Sequence, residues 1–266
     1  MLKSQSILGS SAHWYDGETG LPTYELPCKS TGKTRRPTVR DARKLGLVTS
    51  VTSIIKDMVP APGLVNWKMR QLFNASQATA RQDGETDDAL FLRLCNLAGD
   101  EGALTADLGT RTHDAIDKYE EHGLWRFETD VQPLFDAYLG WRKEAIAGTP
   151  MRELYIPPRF GYGGRLDMIA NRRPDGAALI DVKTKKTKPG EAVFRADEHG
   201  LQLAAYAQAV DLADGAALWI LAISTTEPGR IEVVDFTDER KKYTDWFNHL
   251  LEAWFLKTGY DPRKVQ

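Results

Sequence analysis

What the sequence lacks narrows its possible chemistry. It has only two cysteines, Cys28 and Cys95, and neither belongs to a C-x-x-C pair. A zinc or iron–sulfur site built from cysteine alone needs four thiolates, so this chain cannot form one by itself, and a disulfide framework is disfavoured. The formal net charge is −2 over 266 residues, so no global charge attracts the chain to nucleic acid.

Long apolar runs are also missing from the sequence. No stretch approaches the roughly 18 to 20 consecutive apolar residues that span a bilayer. Residues 1–10 lack the apolar core of a secretory signal. Together these absences predict a cytoplasmic protein with no membrane partner. Hydrophobic residues make up 42% and charged residues 27% of the chain, which is the composition of an ordinary folded protein.

The apolar pattern and the turn signals predict an alternation of helices and strands. Residues 1–45 have the composition of loops and short strands. Helices are predicted at 50–58, from Pro62, and at 89–97, 108–121, 131–146, 200–212 and 238–256. Strands are predicted at 152–156, 164–170, 177–182, 217–223 and 231–236. This order favours an α/β (α+β) fold in which one central mixed β-sheet is flanked by helices. Gly102 and its small or acidic neighbours indicate a joint at 100–106.

A turn signal near the middle of the chain brings two acids together. Residues 172–176 read Arg-Arg-Pro-Asp-Gly, which predicts an antiparallel hairpin between the strands on either side. If the loop centres on Pro174, Asp167 faces Asp181, and like charges opposed in this way destabilise a sheet unless a cation lies nearby. The period of two places Lys183 on the same face as Asp181. Two aspartates suit a hard divalent cation, and the lysine can stabilise charge on a phosphate. This arrangement suits phosphodiester hydrolysis.

Four short patterns occur in a fixed order around these acids. Residues 163–167 (GGRLD) and 180–183 (IDVK) resemble the G-x-x-D and (D/E)-x-K core of the PD-(D/E)xK nuclease superfamily. Residues 109–113 (GTRTH) resemble the upstream G-x-x-x-H helix motif, and residues 202–206 (QLAAY) resemble the downstream Q-x-x-x-Y helix motif. Each pattern alone is weak, but the ordered set resembles the RecB-like, phage-type exonuclease branch. Because the chain lacks four cysteines, the resemblance is to members without an iron–sulfur cluster.

The resemblance implies roles for the matching side chains. It assigns catalysis to Asp167, Asp181, Lys183 and Gln202. It assigns metal binding to His113, Asp167, Asp181 and the backbone carbonyl of Val182. It assigns substrate contacts to Tyr206, and the flanking Arg165, Lys185, Lys186 and Lys188 could hold phosphates, which position a strand without reading its sequence. Glu153 is sometimes a further acid in the family, although a surface glutamate fits this position equally well.

The function implied is a Mg²⁺- or Mn²⁺-dependent DNA exonuclease of phage or recombination-repair type. Phosphodiester bonds would be hydrolysed by a metal-activated water, with one or two ions bound. A restriction-endonuclease-like nuclease core would occupy residues 101–266. Residues 1–100 would form a helical and irregular extension that guides DNA or only covers the sheet. The implied partners are DNA and a recombination, annealing or helicase protein.

Two alternatives come from other functional classes. The first is a non-catalytic DNA-binding recombination partner that has retained the nuclease fold. The second is a nucleotide phosphohydrolase, but the sequence does not support a phosphate loop. Gly32, Lys33 and Thr34 match the end of G-x-x-x-x-G-K-[ST], whereas Pro27 stands where the first glycine is required. Cleavage polarity, strand preference and oligomeric state stay open at this point.

Overall fold

The computed structural model of this protein describes residues 13–28 and 32–264. The expectation about a secretory signal in residues 1–10 therefore lies outside the described residues. The helices of the described part are α1 (Val39–Leu45), α2 (Val51–Met58), α3 (Pro62–Ala78), α4 (Asp87–His122), α5 (Gln132–Ala145), α6 (Asp197–Ala209) and α7 (Arg240–Thr258). None of these helices combines the length and the apolar character that crossing a membrane requires.

The strands fall into a large sheet and smaller ones. They are β1 (Trp14–Asp16), β2 (Pro22–Thr23), β3 (Leu26–Pro27), β4 (Thr34–Arg35), β5 (Leu47–Ser50), β6 (Ile146–Tyr155), β7 (Tyr162–Gly163), β8 (Arg165–Arg172), β9 (Ala177–Lys185), β10 (Ala217–Ser224) and β11 (Ile231–Asp235). The large sheet has the order β11-β10-β9-β8-β6. Only β9 and β10 pair in parallel within it, because α6 makes the crossover between them. The α/β fold with a mixed sheet is thus confirmed.

Helices cover the large sheet on both faces. One apolar cluster joins α2, α6 and α7 to the sheet, with Leu203 and Phe247 fully buried. The other joins α4 and α5 to the opposite face, where Phe135 is fully buried. Neighbouring residues of β9 divide between the two clusters, because Leu179 belongs to the first and Ile180 to the second. This alternation follows the period of two along a strand that is buried on both faces.

The N-terminal part of the chain is tied into the rest by a second sheet. Its strands have the order β2-β1-β5-β7. Strand β5 runs parallel to β7, with Thr49 opposite Tyr162, so a strand from before residue 100 pairs with one from after it. The Ser50 side chain accepts the backbone N–H of Ser53 and caps α2. The division of the chain at residue 100 stays a prediction.

The joint expected at 100–106 is wrong, because α4 continues through this stretch without a break. Gly102 instead marks a close contact between two helices. A Cβ atom added at this glycine would lie 3.4 Å from the ring of Trp67 on α3. A glycine inside a helical pattern often has such a packing reason, and it costs only about 1 kcal/mol relative to alanine.

Two smaller differences concern the ends of elements. Strand β6 begins at Ile146, earlier than predicted, and Gly148 and Pro150 lie inside it. The pairing of β6 with β8 shifts register between Ala147 and Met151, so residues 148–150 form a bulge that contains both Gly148 and Pro150. Helix α1 lies within the segment predicted to hold only loops and strands. Thr38 caps it in a capping box with Asp41.

Candidate active site

The hairpin of β8 and β9 has the register that the turn predicts. Met168 lies opposite Ile180, and the pairing ends at this point. Asp167 and Asp181 occupy the next positions on the two strands. The Oδ2 atom of Asp167 accepts the backbone N–H of Val182 at 2.8 Å. An aspartate side chain thus makes the hydrogen bond at the point where the ladder between the two strands stops.

A third acid lies on the other side of Asp167. Residues Arg152 and Leu154 of β6 pair with Met168 and Leu166 of β8, so Glu153 stands across from Asp167. Three neighbouring strands therefore each contribute an acid at the same level of the sheet. Glu153 has φ 50°, a conformation uncommon for a residue with a side chain, and backbone strain of this kind clusters at functional sites.

Helix α4 places a histidine beside the carboxylates of Glu153 and Asp167. It passes close to β9, because a Cβ atom at Gly109 would lie only 3.1 Å from the Thr184 hydroxyl oxygen. One turn later, His113 places its Nδ1 atom 3.6 Å from Asp167 Oδ2. One ligand atom from each of His113, Glu153 and Asp167 lies within 4.8 Å of the others. The G-x-x-x-H spacing is thus explained by a close helix–strand contact followed by a side chain that reaches the acids.

This group of three side chains fits a divalent cation. Carboxylate oxygens are the donors that Mg²⁺ and Mn²⁺ prefer, and a neutral imidazole completes such a set. Burial raises the pKa of Glu153; Arg165, whose Nε lies 2.6 Å from Glu153 Oε2, opposes the shift, and Asp167 adds to it. A bound cation would stabilise the ionised carboxylates that are crowded here.

Asp181 lies beside this group with partners of its own. Its side chain is 2% exposed. One carboxylate oxygen accepts a hydrogen bond from Gln202 Nε2 at 2.8 Å, and the other lies 2.6 Å from Lys183 Nζ. Burial raises the pKa of Asp181, and the Lys183 ammonium group opposes that shift.

Lys183 itself stays positively charged in this setting. Burial acts to lower its pKa, but the carboxylates of Asp181 and Asp167 outweigh burial and raise it. The lysine therefore offers a fixed positive charge beside the three acids.

Tyr206 lies behind the acids rather than at the surface of the cleft. Its side chain is 4% exposed, and its hydroxyl group lies 3.5 Å from Gln202 Nε2. The ring packs beneath Gly164, where an added Cβ atom would come within 2.7 Å of it. Tyr206 thus supports Gln202, and the substrate contact implied for Tyr206 stays a prediction. The glycine before Asp167 is explained by this close packing.

Glu153 and Asp167 open into a cleft of about 1020 Å³. Its walls include most of the predicted site residues: His113, Arg165, Asp167, Val182, Lys183 and Lys186. Glu153 also lines it, and α3 contributes Leu64 and Trp67. A second cavity of about 960 Å³ shares Lys183 with this cleft, and it holds the predicted residues Lys185 and Gln202. Most of the predicted site residues thus line one of two neighbouring cavities, whereas Asp181 and Tyr206 line neither.

The sequence pattern alone does not assign two residues of this region. It fits Glu153 equally well as a surface acid and as a functional one, and the register of β6 against β8 places Glu153 with His113 and Asp167. The pattern gives no role to His199. This histidine precedes Gln202 by three residues on α6, which puts both side chains on one face of the helix, and this spacing is the signal that points to it.

Acids on adjacent strands lie beside a histidine from a covering helix and a buried Asp–Lys pair, a donor set that could hold a metal ion. The chain belongs to the PD-(D/E)XK nuclease superfamily, because the family model of that superfamily matches residues 132–264, half of its length. The fold is restriction-endonuclease-like, as predicted. The matched region contains Glu153, Asp167, Asp181 and Lys183, whereas His113 lies upstream of it. The RecB-like branch stays a prediction.

Comparison with other proteins adds two findings. The crystal structure of SSO0001 is similar over 71% of this chain and 87% of that chain, with 13% sequence identity and a TM-score of 0.24. No curated protein matches the chain.

Proposed function

We propose that this protein is a Mg²⁺- or Mn²⁺-dependent deoxyribonuclease that acts as an exonuclease of phage or recombination-repair type. Its place would be the cytoplasm of a bacterial or phage-infected cell. The observation that carries the proposal is the convergence of His113, Glu153 and Asp167 within 4.8 Å, beside the Asp181–Lys183 pair. Superfamily membership supports metal-dependent hydrolysis of a nucleic acid. DNA as the substrate and a recombination, annealing or helicase partner are parts of the proposal.

The residues of the site would have different roles in the proposed reaction. His113, Glu153 and Asp167 would hold the cation. The metal contacts that the resemblance implies for Asp181 and the Val182 carbonyl stay predictions. When bound, a divalent cation polarises a phosphoryl oxygen and lowers the pKa of water. Lys183 presents its ammonium group to the negative charge that grows on the phosphate during hydrolysis.

Two further residues fix the position of that lysine. Asp181 holds the Lys183 ammonium group at 2.6 Å through one carboxylate oxygen. Gln202 donates to the other oxygen and so sets the orientation of the carboxylate. Because Asp181 and Gln202 are buried, the ammonium group is placed before substrate arrives, which is the condition for preorganised electrostatic stabilisation.

The test is digestion of end-labelled linear and closed circular DNA with Mn²⁺, with Mg²⁺ and with EDTA. We expect wild-type protein to degrade linear DNA only when a metal is present. Asp167→Asn and Lys183→Met should each lower the rate by about 10²–10³-fold, the effect of removing one preorganised charged group. Lys241→Met is the matched control, because Lys241 is exposed on α7 and lines neither cavity.

The outcomes separate the candidate functions. Activity that survives in both variants, or in EDTA, would contradict the proposed site. Cleavage of closed circles would replace exonuclease with endonuclease action. DNA binding with no cleavage under any metal condition would favour the non-catalytic recombination partner. Thermal melting followed by circular dichroism, run on each variant, shows whether it is folded.

A further inference from the structure

The second cavity, which shares Lys183 with the cleft of Glu153 and Asp167, has more lysine than acidic side chains in its lining. It lies between α2, the start of α3, the end of β9 and the first turn of α6. Its charged lining residues are Lys56, Lys68, Lys183 and Lys185 together with Asp57 and Glu198. Four ammonium groups face two lining carboxylates, and the buried Asp181 beside the cavity pairs with Lys183, so the cavity keeps a smaller excess of positive charge, which favours an anionic ligand.

One ring nitrogen of a buried histidine in this cavity lacks a hydrogen-bond partner among the described residues. His199 is only 9% exposed, and its Nδ1 atom is enclosed without a hydrogen-bond partner among the described residues. Burial, with Lys185 and Lys183 nearby, lowers the pKa of His199 to about 4, so the ring is neutral at pH 7 and carries one N–H donor. A buried polar atom left unpaired is costly, and in native proteins it calls for a ligand, an ion or water.

Lys185 adds a cation that is partly withdrawn from water. Its side chain is half-buried at the end of β9 and borders the same cavity as His199. Burial and the neighbouring Lys183 lower the pKa of Lys185, while Asp181 and Glu198 act in the other direction. A second negative charge close to this lysine would relieve the repulsion between the two ammonium groups.

We propose that this cavity binds a phosphate group of the nucleic-acid strand, with His199 as a hydrogen-bond donor and Lys185 as the paired charge. The inference rests on the proposed nuclease function and names a phosphate subsite beside the site of hydrolysis. A phosphate offers several acceptor oxygens and a negative charge, which matches one imidazole N–H among ammonium groups. Because Lys183 borders both cavities, the strand runs across it from this subsite to the acids.

The phosphate could be a terminal monoester or an internal diester, and binding measurements distinguish the two. The full-length protein is titrated, with Ca²⁺ as the only divalent ion, against fluorescent oligonucleotides bearing a 5′-phosphate, a 3′-phosphate or neither. We expect His199→Ala and Lys185→Met each to weaken binding about tenfold, the effect of losing one hydrogen bond or ion pair to a charged group. His249→Ala is the control, because His249 is exposed on α7 and lines neither cavity.

Kinetics with Mn²⁺ separate binding from an indirect effect on catalysis. His199→Ala should raise KM about tenfold and leave kcat within about twofold, since His199 would contact the strand away from the reacting phosphate. If His199 acted only through its helix neighbour Gln202, kcat would fall instead, and the inference would be overturned. A loss confined to one phosphorylated oligonucleotide assigns the cavity to that strand end. An equal loss for all three assigns it to an internal phosphodiester.

The failure of this inference differs from the failure of the proposed function. If wild-type protein cleaves DNA and folded His199→Ala binds all three oligonucleotides as tightly as wild type, the phosphate subsite is refuted and the nuclease stands. If wild-type protein neither binds nor cleaves DNA, both proposals fall. His199→Asn, which keeps a side-chain N–H donor in a smaller volume, should recover part of the lost affinity if hydrogen bonding is the cause.

Discussion

Helices α3 and α6 both border the cavities, yet α6 is largely buried and α3 is not. None of the 17 residues of α3 is buried, whereas ten of the 13 residues of α6 are. Helix α6 packs on the sheet and against α7 through the apolar cluster that includes Leu203. Helix α3 packs mainly against α4. The residues that need fixed positions, Gln202 and His199, therefore lie on the helix that packing in the core holds in place.

The exposed face of α3 does not follow from its sequence. Leu64, Trp67 and Met69 are spaced as on a helix that packs into a core, yet their exposed fractions are 52%, 38% and 64%. The pattern identifies the helix correctly, but the side chains face the cleft and solvent. Of the three, only Trp67 is aromatic, and an aromatic ring at the edge of a cleft suits the stacking of a nucleotide base.

The largest expected difference between the two helices is in stability. Leu203→Ala on α6 should lower the free energy of unfolding by about 2–5 kcal/mol, because Leu203 is fully buried and its truncation leaves a cavity. Leu64→Ala on α3 should change it by less than about 0.5 kcal/mol, since Leu64 is 52% exposed. Urea denaturation followed by circular dichroism measures both. Equal losses would mean that α3 is buried in solution against something else.

The sequence predicts the centre of the site better than its edges. The turn at 172–176 sets the register of the β8–β9 hairpin, so Asp167 and Asp181 could be placed near each other from local rules alone. The period of two likewise placed Lys183 beside Asp181. These predictions succeed because each depends on residues close in sequence, where turn geometry and strand alternation leave little freedom.

The residues that the sequence left undecided depend on contacts between distant segments. Glu153 joins the acids only because β6 pairs with β8 across a bulge, and bulges shift register in ways that alternation does not show. The environment of His199 depends on α2 and α3, which approach α6 from more than a hundred residues away. Gly102 suggested a break, although it serves a helix contact with Trp67.

A second prediction compares one glycine on each of the two helices, Gly200 on α6 and Gly63 on α3. Gly200 on α6 lies against Tyr243 and Phe236, and an added Cβ atom would come within 2.6 Å of the tyrosine ring. Gly200→Ala should therefore destabilise the fold by about 2 kcal/mol through overpacking. Gly63 on α3 has nothing within 4 Å of an added Cβ atom. Gly63→Ala should be neutral or stabilise by up to about 1 kcal/mol, because alanine favours a helix.

Thermal melts of the two glycine variants beside wild type provide the measurement. The expected order of melting temperature is Gly63→Ala at or above wild type and Gly200→Ala below it. A Gly200→Ala variant as stable as wild type would show that Tyr243 and Phe236 can move away, and α6 would then not be held as rigidly as its burial indicates.

The smallest expected effect is a pH dependence of the free energy of unfolding, caused by His199 on α6. The pKa of His199 is about 4 in the fold, because of burial and the nearby Lys185 and Lys183, against about 6.5 in an unfolded chain. Between these values the unfolded chain binds more protons, so stability is full above pH 6.5 and falls as the pH decreases towards 4. At pH 5.5 the loss from this histidine should be about 1 kcal/mol.

The His199→Gln variant removes this component, because glutamine has no proton to gain. The free energy of unfolding is measured in urea at pH 7.5 and pH 5.5 for both proteins. Wild type should lose about 1 kcal/mol more than the variant between the two pH values. Equal losses of unfolding free energy in wild type and variant would mean that the imidazole takes up a proton within the folded protein. The first turn of α6 would then open to water as readily as α3 does, and the difference between the two helices would not extend to this end of α6.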